Sequence, residues 1–332
     1  MKVIFKKIFS ILSRVAISAA LLFFVFRQVD EKALLGTLKN VNLPLLVLAF
    51  LIFFLVYLLC IFRWQMLLKA LGIHLPLKRV IISASGGYFF SLFLPSTIGG
   101  DLMRSIDLAA HTKKTHEVIA TVVLDRLSGF VGLVLLALLS LLFGWRYTQD
   151  KSVLLSIGMI TLVLVGILFT IFNSFVYSKI SKLLRSPGAG KIRQLLTDLH
   201  DELHYFKHHK KVIVYNLFFS VLVQIMPPLS FYAAALALGL KINIIYFFVF
   251  LPIIGAITLL PISLGGLGLR DATTIYFFAQ IGVSRDLAFA MSLLNFFFVL
   301  IYGIIGGLIY ALTVRHRRIQ HHQPSQLHPG RK

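Results

Sequence analysis

Acidic residues are scarce in this sequence, and so is charge of any kind. The 332 residues hold 12 Asp and Glu, and charged side chains make up 14% of the chain. A soluble domain is nearer a quarter charged. That shortage excludes an ordinary soluble enzyme and a disordered chain, because hydrophobic residues reach 58%. One cysteine, Cys60, excludes an intrachain disulfide scaffold, so redox says nothing about compartment. What remains is a protein embedded in lipid for most of its length. The 33 Lys and Arg give a formal net charge of +21. They lie between apolar runs, so they read as membrane-flanking loops rather than as a nucleic-acid surface.

Six segments are long enough to cross a bilayer, near 8–26, 43–62, 118–143, 152–173, 212–238 and 286–312. The first is too long for a signal peptide and carries Arg14, so it reads as a retained helix. Two further apolar stretches, 80–98 and 244–264, each end in a Pro and Gly cluster. Non-helical backbone at membrane depth is tolerated only inside protein or along a wet cavity, so these read as re-entrant or broken helices. With both termini cytoplasmic, 23 Lys and Arg fall in inside segments and eight in outside segments. That agrees with the positive-inside rule. The expected fold is an all-α polytopic membrane protein with about six crossings and two re-entrant helices. One transmembrane domain would cover 1–312, with halves at 43–143 and 212–312. Helix 152–173 and an amphipathic surface helix over 176–211 would join the halves. Residues 313–332 read as a basic, disordered cytoplasmic tail.

The halves share a motif. Leu94-Pro95-Ser96-Thr97-Ile98-Gly99-Gly100-Asp101-Leu102-Met103-Arg104 aligns with Leu260-Pro261-Ile262-Ser263-Leu264-Gly265-Gly266-Leu267-Gly268-Leu269-Arg270. Both read LPxx[IL]GGxxxR, 166 residues apart. On the expected topology the copies run in opposite directions, which makes an inverted repeat. Transporters built that way bind substrate near the midplane, at broken helices. Pro95 and Pro261 would end the helices. Gly99, Gly100, Gly265, Gly266 and Gly268 would let backbone N–H groups approach a ligand closely. Freed N–H groups favour phosphate, and Arg104 and Arg270 offer planar forks to its oxygens. Asp125 and Arg126 lie inside a span, where ionisable groups are a functional hypothesis by default. Ser96, Asp101 and Asp271 complete the candidate substrate-binding set, with Asp101, Asp107, Glu117 and Asp271 as partners for nearby arginines. Arg63-Trp64, ending the second span, reads as an interfacial anchor.

Other signals are weak. No GxSxG, Walker A or dinucleotide GxGxxG is present. His200, His204 and His208 read as a solvated basic face rather than a metal site, so no metal or cofactor is expected. Gly303 and Gly307 read as packing, and Pro227-Pro228 as a kink.

At Arg63-Trp64, LPSTIGGD (94–101), Arg104, the LDR of 124–126 and PISLGGLGLRD (261–271), the sequence resembles the transmembrane region of lysylphosphatidylglycerol synthases, a flippase-like membrane family. The second motif of that family usually ends in Glu, where this chain has Asp271. The resemblance implies translocation of an anionic or aminoacylated phospholipid between leaflets. A separate soluble domain makes the lipid in full-length synthases, and only about twenty residues follow the last span here. The leading expectation is therefore a lipid flippase of the cytoplasmic membrane. Its partners would be a phospholipid or lipid-linked substrate and a lipid-modifying enzyme, with no nucleic acid. The alternatives are a membrane enzyme acting on lipid-linked substrates and an accessory scaffold.

Overall fold

A computed structural model of the chain describes residues 16–24, 27, 36, 39–93, 97–144, 151–172, 210–259, 263 and 266–321. The described elements are helical. After a helical stretch at 16–24 come α1 (Leu43–Ala70), α2 (Leu77–Phe93), α3 (Thr97–Thr112), α4 (Thr115–Gly144) and α5 (Lys151–Phe172). The second half supplies α6 (Lys210–Ala237), α7 (Ile244–Thr258), α8 (Leu269–Ala279) and α9 (Arg285–His321). Of the amphipathic helix expected over 176–211, residues 176–209, with the three histidines, lie outside the described residues, and Lys210 and Lys211 open α6.

Among the described residues, four helices are long and apolar enough to cross a membrane: α1, α4, α6 and the part of α9 up to Thr313. All four fall where crossings are expected, and α5 covers 152–172 of the expected 152–173. Their outward faces are apolar, with Leu142, Phe143, Leu155 and Leu162 among the most exposed side chains. Such a surface suits hydrocarbon and not water, so this is a multi-pass membrane protein. The expected disordered tail is corrected in part. With no proline between Arg285 and His321, α9 continues unbroken through the first nine residues of it.

Local sequence sets the helix ends. Asn42 caps α1 by accepting from the Leu45 N–H, with Pro44 in the first turn. α1 stops at Leu71-Gly72-Ile73 and α6 stops at Leu238-Gly239-Leu240. In each, the glycine takes a positive φ (69° and 79°). The next N–H then bonds back to the carbonyl five residues earlier, Ile73 to Leu68 and Leu240 to Ala235. These two stops lie 167 residues apart, a second register mark for the repeat.

The re-entrant expectation takes a definite form, as helical hairpins. α2 has 17 residues and α7 has 15. At 1.5 Å per residue they span about 26 and 22 Å, short of the roughly 30 Å hydrocarbon core. α2 and α3 pack antiparallel. Arg79 pairs with Asp107 at the open end, Ser83 donates to the Arg104 carbonyl midway, and Gly87 meets Gly100 near the tip. α7 and α8 do the same, with Phe247 on Phe278, Phe250 on Phe277, and Thr258 beside Gly266.

Packing follows the repeat. α1 lies against α6, its counterpart, and α2 against α9, as α7 lies against α4. α3 on α4 is matched by α8 on α9. α1 and α6 run antiparallel: Asn42 meets Ala237, Ala49 meets Ser230 and Arg63 meets Ser220. The largest buried apolar cluster, with Phe247, Phe250, Phe278 and Phe289, sits around the second hairpin.

Candidate functional site

Asp125 is the centre of the site. It lies in α4, where a carboxylate without partners would be costly. One oxygen accepts from Arg63 Nε of α1 at 2.8 Å and the other from Arg104 Nη2 of α3 at 2.9 Å. Arg63 also donates to Ser220 Oγ of α6 at 3.0 Å and to the Asp125 carbonyl at 3.1 Å. Arg104 bonds Asp101 Oδ1 at 3.0 Å, and Asp101 Oδ2 accepts from Arg126 Nε. The chain Arg63–Asp125–Arg104–Asp101–Arg126 thus joins α1, α3 and α4. Among the described residues, three guanidinium groups and two carboxylates make up this network. Arg63, Arg104 and Asp125 are buried, whereas the Arg126 side chain is 36% exposed.

Arg63-Trp64 is a correction. The expected interfacial anchor is interior, with Arg63 at 4% and Trp64 at 0% exposure. The reason is length: α1 continues two turns past Phe62, so the pair lies inside the bundle. Trp64 donates from Nε1 to Thr121 Oγ1 at 3.1 Å, and the Arg104 guanidinium stacks 4.6 Å above its ring. A buried Asp125 demands a cation, but that demand does not single out Arg63 among the arginines.

A cavity of about 310 Å³ borders this network. All five charged residues line it, with Cys60, Tyr88 and Gln224. Both hairpins reach it near their tips, the first through Gly87, Ser91 and Gly100, the second through Gly255 and Leu259. Val223 and Gln224, at the middle of α6, close another side. Pro227 and Pro228 lie one turn further and carry no N–H, so the Val223 and Gln224 carbonyls lose their usual helical donors. The cavity is therefore polar, near mid-span, and walled by both halves.

Gly99 and Gly100 sit in the first turn of α3 rather than in a non-helical loop. A Cβ on Gly100 would lie 1.9 Å from Ser91 Oγ and 2.2 Å from the Gly87 carbonyl, so glycine here lets two helices touch. In the second motif Gly266 and Gly268 form the turn before α8, both at positive φ. Pro95, Ser96, Pro261 and Gly265 lie outside the described residues.

Arg270 and Asp271 form a separate cluster and do not line the cavity. Arg270 donates to Asp271 Oδ1 and to Ser292 Oγ of α9, each at 3.0 Å. Ser292 donates to Asp271 Oδ1 at 2.5 Å, and Asp271 Oδ2 accepts from the Gly268 N–H at 3.0 Å, capping α8. Here one cation balances one anion. The other expected partners divide likewise: Asp107 takes Arg79, and Glu117 lies in the first turn of α4. Among the described residues, no group of three His, Cys, Asp or Glu gathers as a metal would need.

Comparison with known proteins agrees with this architecture. The chain is 22% identical to a UPF0104 membrane protein of Pyrococcus horikoshii over 282 residues, 78% of this chain and 83% of that one. It is 23% identical to a UPF0104 membrane protein of Methanocaldococcus jannaschii over 319 residues, 90% and 93% of the two chains. Residues 11–307 match the family described as the lysylphosphatidylglycerol synthase TM region, and the chain belongs to that family.

Proposed function

We propose that this protein is a lipid translocase that carries the head group of an anionic phospholipid through the cavity between the hairpin tips. The observation carrying the reading is an ion network of three arginines and two aspartates that borders a polar cavity at mid-span. A phosphodiester head group is an anion whose oxygens suit the guanidinium groups lining that cavity. Arg126 is the contact group, because it is the most exposed member of the network. Arg104 and Asp101 hold it in place. The antiparallel packing of α1 on α6 supports an inverted-topology repeat, the construction in which a site between halves can open to either side.

The setting is the cytoplasmic membrane with both termini inside. Lys78, Arg79, Lys113 and Lys114 gather at the open end of the first hairpin, which supports a cytoplasmic position for that end. Partners are then membrane phospholipids, together with any enzyme that modifies them.

The test is lipid movement in proteoliposomes. Purified protein is reconstituted with fluorescent phosphatidylglycerol or phosphatidylcholine, and a membrane-impermeant quencher reads which leaflet holds the dye. Protein-dependent movement of the anionic lipid over the zwitterionic one is expected. Arg126→Gln should slow it about tenfold, the effect of one lost charge-assisted hydrogen bond. Folded protein that moves neither lipid, or an Arg126→Gln variant at full rate, contradicts the reading.

A further inference from the structure

The polar cavity has an apolar neighbour. A groove of about 480 Å³ runs between α4, α5 and α7. Phe130, Leu133 and Leu259 line both spaces, so the two share a wall. Among the groove residues only Ser156 carries a hydroxyl, amide or charge. Its inner side is closed, with Val134 and Leu164 each 6% exposed. Its outer side opens to the bilayer at Met159 and Val163, 66% and 54% exposed. Along α5 the lining runs from Ser156 to Leu164, about 12 Å of helix.

Charge and hydrocarbon are thus accommodated on the two faces of one wall, which is the chemical division of an amphiphile. We propose that the groove holds one hydrocarbon chain of the same lipid whose anionic head group occupies the polar cavity. The substrate class is then a chain-bearing phosphodiester lipid that enters sideways past α5. This rests on the head-group reading above and adds the chain. Lipid tails are as apolar as the groove, so moving a chain into it gains no hydrophobic free energy. The groove orients the chain while the cavity supplies the attraction. Blocking the groove therefore excludes the whole lipid by collision and leaves a soluble head group untouched.

The experiment uses the full chain in nanodiscs of phosphatidylcholine. A trace of phosphatidylglycerol carrying a diazirine midway along one acyl chain is cross-linked by light and mapped by mass spectrometry. Cross-links are expected on Val134, Ile160 and Leu164, inside the groove. Soluble glycerophosphate and Arg126→Gln should each reduce them. Val163→Trp, which fills the mouth from the lipid side, should abolish them while glycerophosphate binding stays within about twofold. Ile160→Phe fills the same space from within and should do the same, with thermal unfolding checking the fold of both. Cross-links confined to outward residues such as Leu155 and Leu162, or inner cross-links that persist in both filled variants, overturn the groove. Failure of the head-group reading looks different: inner cross-links remain, and neither glycerophosphate nor Arg126→Gln changes them.

Discussion

The first hairpin brings charge to the cavity, whereas the second brings glycine and leucine. Both carry the shared motif, and both arginines reach the following span. Arg104 meets α4 at Asp125, 21 residues on. Arg270 meets α9 at Ser292, 22 residues on. A hydroxyl stands where the first half has a carboxylate, and the acid has moved next door, to Asp271. Arg63 shows the same replacement, because its counterpart 167 residues later in α6 is Ser230. A repeat can therefore preserve architecture while confining the cavity-lining charges to one half. The first half supplies the charged lining of the cavity, and the second adds Val223, Gln224, Gly255 and Leu259 to its wall.

The sharpest way to break this comparison is to remove the central acids. Asp125→Ala leaves Arg63 and Arg104 buried without their shared anion, and should cost about 3–5 kcal/mol in reversible unfolding. Asp271→Ala strands one arginine, a serine and one helix-capping bond. About 1–3 kcal/mol is expected there. Equal losses would mean that the two clusters are equivalent supports.

Glycine substitution sharpens the contrast between the hairpins. Gly100→Ala forces a methyl onto Ser91 and the Gly87 carbonyl, and overpacking of this kind costs about 1–3 kcal/mol or more. Gly255→Ala places its methyl 3.8 Å from Leu133, an ordinary contact. Stability should change by no more than about 0.5 kcal/mol. Thermal melts of the two variants check both values. A well-tolerated Gly100→Ala would show that α2 and α3 are not locked together at the tip.

The smallest effect on stability belongs to Arg126. Its side chain is partly exposed, so Arg126→Gln should shift unfolding by about 0–1 kcal/mol while transport falls. A large loss of stability would instead make Arg126 a structural support.

Much of this was legible in the sequence. The crossings, the two short apolar stretches ending in Pro and Gly, and the offset of the two motifs follow from composition and spacing. The demand of Asp125 and Arg126 for partners follows from their depth. Arg63 was not legible, because an Arg-Trp pair ending an apolar run looks the same whether the helix stops or continues. Nor was the difference between the motifs, since the same Gly-Gly serves a helix contact in one half and a turn in the other. That choice depends on what packs alongside, Gly87 and Ser91 against Gly100, and Thr258 against Gly266. The paired stops at Gly72 and Gly239 were readable, as an Ala-Leu-Gly tripeptide repeated 167 residues apart.

The central claim is that the anion site belongs to the first half. The most direct measurement compares Arg126→Gln with Arg270→Gln in the proteoliposome assay, at matched amounts of folded protein. The account predicts that Arg126→Gln slows phosphatidylglycerol movement about tenfold and that Arg270→Gln stays within about twofold of the unaltered protein. Equal loss in the two, or loss only in Arg270→Gln, would contradict it.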